Sequence, residues 1–318
     1  MNAPRNDEVK SAAGCFKPGY AGMSESGELL RRAEMLEERL GRCDLCPRAC
    51  GADRKNGKTG FCKLDSRLKV AAVNLHHWEE PPISGTSGSG TIFFSGCTMA
   101  CIFCQNYPIS QYGVGEKMSV EELASEMLGL RKKGAHNINL VTPTHQIAGV
   151  VRALVLAAQE GLDIPIVYNT SGYESLDTLA ILDGIIDIYL PDIKYSDSDV
   201  AKKYSGVDDY ARHNRAALVE MWRQVGPLRT DSRGIALKGM IVRHLVLPQD
   251  LSGTAECLSF LAEKISPEVW ISLMNQYFPA YKGQSYPPFD RRLSEEEYEA
   301  AFQKMTDLGL LNGFAQGC

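Results

Sequence analysis

TIFFSGCTMACIFCQN, residues 91–106, decides the reading of this chain. The run TIFFSGC (91–97) has the apolar, β-prone composition of a buried strand. It delivers Cys97, Cys101 and Cys104 into the loop that follows. Three thiols this close reach three corners of one small metal cluster. A cubane iron–sulfur cluster ordinarily takes four thiolates. A set of three therefore leaves one iron without a protein ligand and open to a small molecule. A structural zinc site is closed by four ligands, typically from two separated pairs, and this loop has the wrong spacing. Met99, Ile102 and Phe103 between the thiols are apolar, which suits a shielded cluster.

Downstream, strand text alternates with helical text. NINLVTP (137–143), PIVYN (165–169), IDIYLPDIK (186–194), GMIVRHLVLP (239–248) and VWISLMNQY (269–277) read as strands. Helical patterns fill 119–134, 147–160, 175–184, the stretch ending at VEMWRQVG (219–226) and 254–265, and a polar helix at 294–307 closes the chain. Ser119 and Glu122 have the spacing of a capping box. Such alternation predicts right-handed βαβ units on a parallel sheet. Six strands are too few for an eight-stranded barrel. The expected α/β fold is a doubly wound sheet or a splayed, partial barrel, with function at the carboxyl ends of the strands. Cys97, Thr142–His145, Asn169–Tyr173, Asp192–Lys194 and Arg243/His244 fall at those ends. Asp192 and Lys194, two apart, share a face, whereas the neighbours Arg243 and His244 face opposite sides. Tyr168 and Tyr173 read as core aromatics, and His145 as a candidate contact at a strand end.

Upstream, residues 1–27 read as a loose arm and 28–41 as a short amphipathic helix. Cys43, Cys46, Cys50 and Cys62 follow in CDLCPRACGADRKNGKTGFC (43–62), a second metal site whose spacing suits zinc or an auxiliary iron–sulfur cluster. VAAVNL (70–75) precedes EEPPISGTSGSG (79–90), a stretch of turn formers expected to be a boundary. The expected organisation is an arm (1–27), a Cys-rich module (28–90), a partial barrel (91–278) and a helical C-terminal extension (279–318).

The formal net charge of −5 gives no footprint for nucleic acid or an anionic membrane. No apolar stretch reaches a membrane span, and MNAPRNDEVK lacks the apolar core of a secretory signal. The expected location is the cytoplasm, where clustered cysteines point to metal rather than disulfides. Cys15, Cys257 and Cys318 stand apart as packing or incidental thiols. No Ser–His–Asp or paired-carboxylate pattern appears. GTSGSG (85–90) precedes a strand rather than linking strand to helix, so it is not a phosphate loop.

On the Cys97/Cys101/Cys104 loop the chain resembles the radical S-adenosylmethionine (SAM) superfamily, whose core is a partial (β/α)6 TIM-like barrel. The resemblance implies a [4Fe–4S] cluster whose open iron binds SAM. It implies reductive cleavage of SAM to a 5′-deoxyadenosyl radical, which abstracts hydrogen from a small-molecule, peptide or protein substrate. A reducing donor such as flavodoxin or ferredoxin is implied as well. NTSGY (169–173), LPDIK (190–194) and VRHLVLP (242–248) are similar to strand ends of pyruvate formate-lyase-activating enzymes. That similarity implies SAM or cation contacts from Asn169, Ser171, Asp192, Lys194 and Arg243. CPRACGADR (46–54), EEPPISGTSGSGTIFFSGC (79–97), GAHNINLVTPTH (134–145) and YNTSGY (168–173) resemble an activating-enzyme-related branch. NLVTPTH (139–145) stands where the family carries a glycine-rich segment that receives the SAM amino group, with Asn139, Thr142 and Thr144 as polar substitutes. One alternative is an activating enzyme for a glycyl-radical protein partner. Another is a non-catalytic iron–sulfur or zinc protein in electron transfer or assembly, against which the open iron and the polar strand ends argue.

Overall fold

The computed structural model describes residues 16–315. Cys15, Cys318 and the first part of the expected arm lie outside the described residues. The strands are β1 (Leu68–His76), β2 (Ser89–Phe94), β3 (Glu116–Met118), β4 (Ile138–Val141) and β5 (Ile166–Thr170). They continue with β6 (Ile188–Pro191), β7 (Arg229–Thr230), β8 (Ala236–Leu245), β9 (Trp270–Met274) and β10 (Gly313–Ala315). The helices are α1 (Gly19–Glu25), α2 (Glu28–Glu38), α3 (Pro81–Ser84), α4 (Tyr107–Ser110), α5 (Val120–Lys132) and α6 (Ile147–Gln159). After them come α7 (Leu176–Leu182), α8 (Ser198–Ser205), α9 (Tyr210–Val225), α10 (Thr254–Phe260) and α11 (Glu295–Asp307).

One sheet runs β10-β9-β8-β6-β5-β4-β2-β1-β3, with β7 paired to β8. Strands β2, β4, β5, β6, β8, β9 and β10 are parallel. The six expected strands form its centre, as an open barrel of β/α units. The edge additions were not expected, nor was the short β7 beside β8. β1 pairs antiparallel with β2 and carries β3, while β10 extends the other edge beside β9. Strand ends also shift. Gly96, at φ +82°, ends the first barrel strand before Cys97, and β6 stops at Pro191, which has no N–H to donate.

Alternation along the strands sorts the side chains. Ile166, Tyr168, Tyr189, Met240 and Val242 point outward into one continuous apolar core under the helices. Val167, Ile188, Leu190, Ala236 and Ile241 point inward and form a separate apolar plug. Further along the same inward faces lie Asn169 and Arg243. The barrel is therefore packed by hydrocarbon at one level and lined by polar groups at the next.

Helix α6 explains why the N-terminal residues dock. Ile147, Ala148, Val150, Val151, Ala153, Leu154, Val155 and Ala157 are all buried, too many for one face, so this helix needs cover beyond the sheet. Helix α2 supplies it with Leu29, Ala33 and Leu36, and Glu37 pairs with Arg152 at 2.6 Å. These residues share the barrel's own core, so residues 28–90 do not form a module with a separate core.

Two expectations are corrected here. Within 16–27 the arm is not loose: Tyr20 of α1 is fully buried, its hydroxyl donates to Ile164 O, and Gly19 N–H donates to Asp187 Oδ1. EEPPISGTSGSG is not a boundary, because Ile83 is fully buried in the barrel plug. A docked α1 makes Tyr20→Ala destabilising by about 3–5 kcal/mol in urea unfolding; a loose arm would leave the midpoint unchanged.

Candidate functional site at the strand ends

The residues after β2 are pinned from three sides. Ala100 N–H donates to Ser205 O and Ile102 N–H to Tyr204 O, tying the loop to the end of α8. Gly283 N–H donates to Ile102 O, tying it to the C-terminal extension. Gly96 N–H donates to Ile109 O in α4. Below the loop lies an aromatic floor: Phe103 stacks on Phe289 at 4.9 Å and meets Tyr195 and Tyr277 edge-on. The apolar residues between the cysteines thus exclude water, and residues from 277 onward, which carried no such signal in the sequence, complete the cover.

Each thiol of this loop has a polar neighbour. Met99 N–H donates to Cys97 Sγ at 3.4 Å, and Ser205 Oγ–H donates to Cys101 Sγ at 3.0 Å. Cys104 Sγ lies 3.1 Å from Ser110 Oγ. Burial pushes the Cys97 thiol up to about 12 and the Cys101 thiol up to about 11, the latter opposed by Lys194. Both are thiols until a metal displaces the proton. Among the described residues no three His, Cys, Asp or Glu side chains converge as ligands of a single ion. A cubane places each thiolate on a different iron, so its ligands are set wider apart.

Beside the loop runs a chain of charges. Lys194 Nζ lies 2.5 Å from Asp192 Oδ2. Arg243 Nε donates to Asp192 Oδ1 at 2.9 Å, and its Nη2 donates to Asn169 Oδ1 at 2.8 Å. Burial works against the Asp192 carboxylate, but Arg243 and Lys194 outweigh it and hold its pKa below the ordinary range. Arg243 also lies 3.9 Å from Glu79 of the β1–β2 connection. Burial raises Glu79 to about 7, against the opposing pull of Arg243. Sequence reasoning missed Glu79 and its buried neighbour Glu80, since both sit in text that reads as a loop. His244 faces the other way. It is buried between Ile193 O and Thr254 Oγ1, and burial lowers it to about 4.

The polar candidates on β4 and β5 divide into two kinds. Asn139 is fully buried and neither end of its amide has a close hydrogen-bond partner, although it lies near enough to the Glu79 carboxyl to pull that pKa down. Ser171 Oγ is likewise buried and unpartnered. Buried polar atoms are nearly always satisfied, so these two are groups poised for a ligand. Thr142 sits at φ +57°, an outlier for a β-branched residue. Thr144 is engaged elsewhere: its hydroxyl donates to Glu174 Oε1 at 2.6 Å, with Thr170 and Tyr168 bonded to the same carboxyl. The structure thus brings Asn169, Asp192, Lys194 and Arg243 together, and commits Thr144 to a closed network centred on the unforeseen Glu174. His145 is not at this site either; it lines a pocket with the upstream cysteines.

Burial raises Glu174 to about 7, against the three hydroxyls. The folded chain therefore holds this proton more tightly than the unfolded one, and stability falls as pH rises from the ordinary carboxylate range to about 7. Glu174→Gln keeps the shape without the titration. Urea midpoints at pH 5 and pH 8 should lie closer together in that variant than in the parent; an unchanged difference would remove Glu174 as the cause.

Residues 91–227 match the family model described as the Radical SAM superfamily. The uncharacterized protein MJ0674 of Methanocaldococcus jannaschii is 27% identical over 282 residues, covering 86% of this chain and 76% of its own. The pyruvate formate-lyase-activating enzyme of Clostridium pasteurianum is 26% identical over 163 residues, covering 48% of this chain and 67% of its own. Among solved structures, HydG, a maturase of the [FeFe]-hydrogenase, aligns with 70% of this chain and half of its own at 12% identity and a TM-score of 0.47. The family match implies a [4Fe–4S] cluster and SAM, and the shielded thiols with the buried Asn139 and Ser171 in the barrel suit such a pair. With its three-cysteine loop at the end of the first barrel strand, the segment 91–227 is similar to the radical SAM superfamily.

Proposed function

We propose that the protein reductively cleaves SAM at a [4Fe–4S] cluster held by Cys97, Cys101 and Cys104, and directs the radical onto a substrate entering beside Glu79 and Arg243. The observation that carries this reading is the pair of buried polar side chains without a hydrogen-bond partner, Asn139 and Ser171, in a barrel where Asn169, Asp192, Lys194 and Arg243 bond to one another. A non-catalytic iron–sulfur carrier has no use for them. The cluster and SAM, when bound, supply the electron and the 5′-deoxyadenosyl radical.

The chain's own residues bind, orient and exclude water. Asn139 and Ser171 offer an amide and a hydroxyl to SAM's polar groups. Asp192 offers a carboxylate whose charge is kept at neutral pH by Arg243 and Lys194. The aromatic floor under Phe103 keeps the site dry, which strengthens every charge interaction within it.

For the substrate, a cavity of about 470 Å³ opens beside Arg243, lined by Trp78, Glu79, Glu80, Met274 and Phe314. That volume suits a small molecule or a peptide segment. Trp78 stands 89% exposed at its rim, an aromatic surface free to cover an occupant. The second reading, activation of a glycyl-radical protein, is supported by the similarity to the Clostridium pasteurianum enzyme.

Anaerobic reconstitution, reduction and SAM addition should yield 5′-deoxyadenosine, and Cys97→Ala should abolish it. Equal yields from both proteins would refute the reading. Ser171→Ala removes a group that has no partner, so stability should hold within about 0.5 kcal/mol while the KM for SAM rises about 3–10-fold. Lost stability with an unmoved KM would make Ser171 structural instead.

A further inference from the structure

The four upstream cysteines share one pocket with two arginines and a histidine. Cys43, Cys46, Cys50 and Cys62 line it together with Arg54 and His145. The loop is shaped to bring them there. Ala49, Gly51, Gly57 and Lys63 all adopt positive φ. A Cβ on Gly60 would fall 2.3 Å from Cys50 Sγ, so only glycine there admits that thiol. The void left between the side chains is about 10 Å³, room for one small sphere.

The charges around this pocket do not balance. Arg54 is 1% exposed. Its guanidinium donates to Asp65 O, to His145 O at 2.6 Å and to Cys43 Sγ at 3.6 Å. Among the described residues no carboxylate pairs with it. Arg48, on the same pocket, lies over the Phe61 ring at 3.4 Å and donates to Thr98 O and Gly206 O, again without a carboxylate. Buried charges are ordinarily paired or bound to metal. The thiols beside these guanidiniums can take a compensating negative charge. His145 adds an independent sign. Its Nε2–H donates to Ser95 O at 2.7 Å, which leaves the Nδ1 lone pair buried and without a partner.

We propose that Cys43, Cys46, Cys50 and Cys62 hold a second metal centre as thiolates, with Arg48 and Arg54 as its counter-charges. Four thiolates around a zinc ion, or around an oxidised [4Fe–4S] core, carry a net charge of −2, which the two guanidiniums match. Each thiol releases its proton as metal binds, and the ligands close on the metal from their present separation. Arg48 also grips Thr98 O, next to Cys97, so the second centre holds one end of the cluster loop in place. This inference stands apart from SAM chemistry.

The test uses the full chain with Cys97, Cys101 and Cys104 replaced by Ala, purified without oxygen and analysed for zinc, iron and acid-labile sulfide. One zinc without sulfide, or iron with matching sulfide, supports the site and says which metal fills it. Further Cys43→Ser and Cys46→Ser changes should then remove it. A folded triple variant, judged by circular dichroism, that carries neither metal overturns the proposal. In the parent chain, Arg54→Met should release the second metal to a chelator at about 10–100-fold lower chelator concentration. Arg48→Met, at a half-buried position less able to disturb folding, should shift release in the same direction. Unchanged release in both variants would overturn the counter-charge role.

Discussion

Arg243 is a cation held inside the barrel, and the way its charge is met organises the strand ends. Its guanidinium reaches Asp192 beyond β6 and Asn169 on β5, and so ties three strands across the interior. Asp192 carries the interaction on to Lys194, whose charge in turn acts on Cys101 and Cys97. On the other side Glu79 approaches from the β1–β2 connection. One buried charge network therefore runs from the substrate mouth to the cluster loop. Removing one member would leave its partners charged and unpaired, a cost of several kcal/mol. The polar layer keeps its shape because its charges satisfy one another, while Asn139 and Ser171 remain available.

The additions to the barrel cover different apolar faces of it. Helices α1 and α2 cover α6, whose apolar residues exceed one face. The EEPPIS stretch drives Ile83 into the plug and leaves Glu79 and Glu80 at the mouth. Residues 277–289 lay aromatic rings under the cysteine loop. No helix among the described residues is long and apolar enough to cross a membrane.

The barrel was legible in the sequence because its strands are continuous apolar runs with helical intervals, a pattern set by burial on both faces. The cysteine loop was legible because its chemistry depends on spacing. Glu79, Glu80 and Glu174 were not, since a carboxylate in polar text carries no mark of burial; their roles arise from Arg243 and Thr144, which are distant in sequence. Thr144 shows the converse: its place at a strand end suggested a ligand contact, and a nearer acceptor claimed it. The docking of α1 was hidden because Tyr20 finds its partner, Ile164 O, far along the chain.

The central claim is that Cys97, Cys101 and Cys104 leave one iron open to SAM. Low-temperature electron paramagnetic resonance of the reconstituted, reduced protein tests it most directly. The account predicts a reduced [4Fe–4S] signal whose g values shift when SAM is added, and a Cys97→Ala variant without that shift. A cluster signal indifferent to SAM would contradict it.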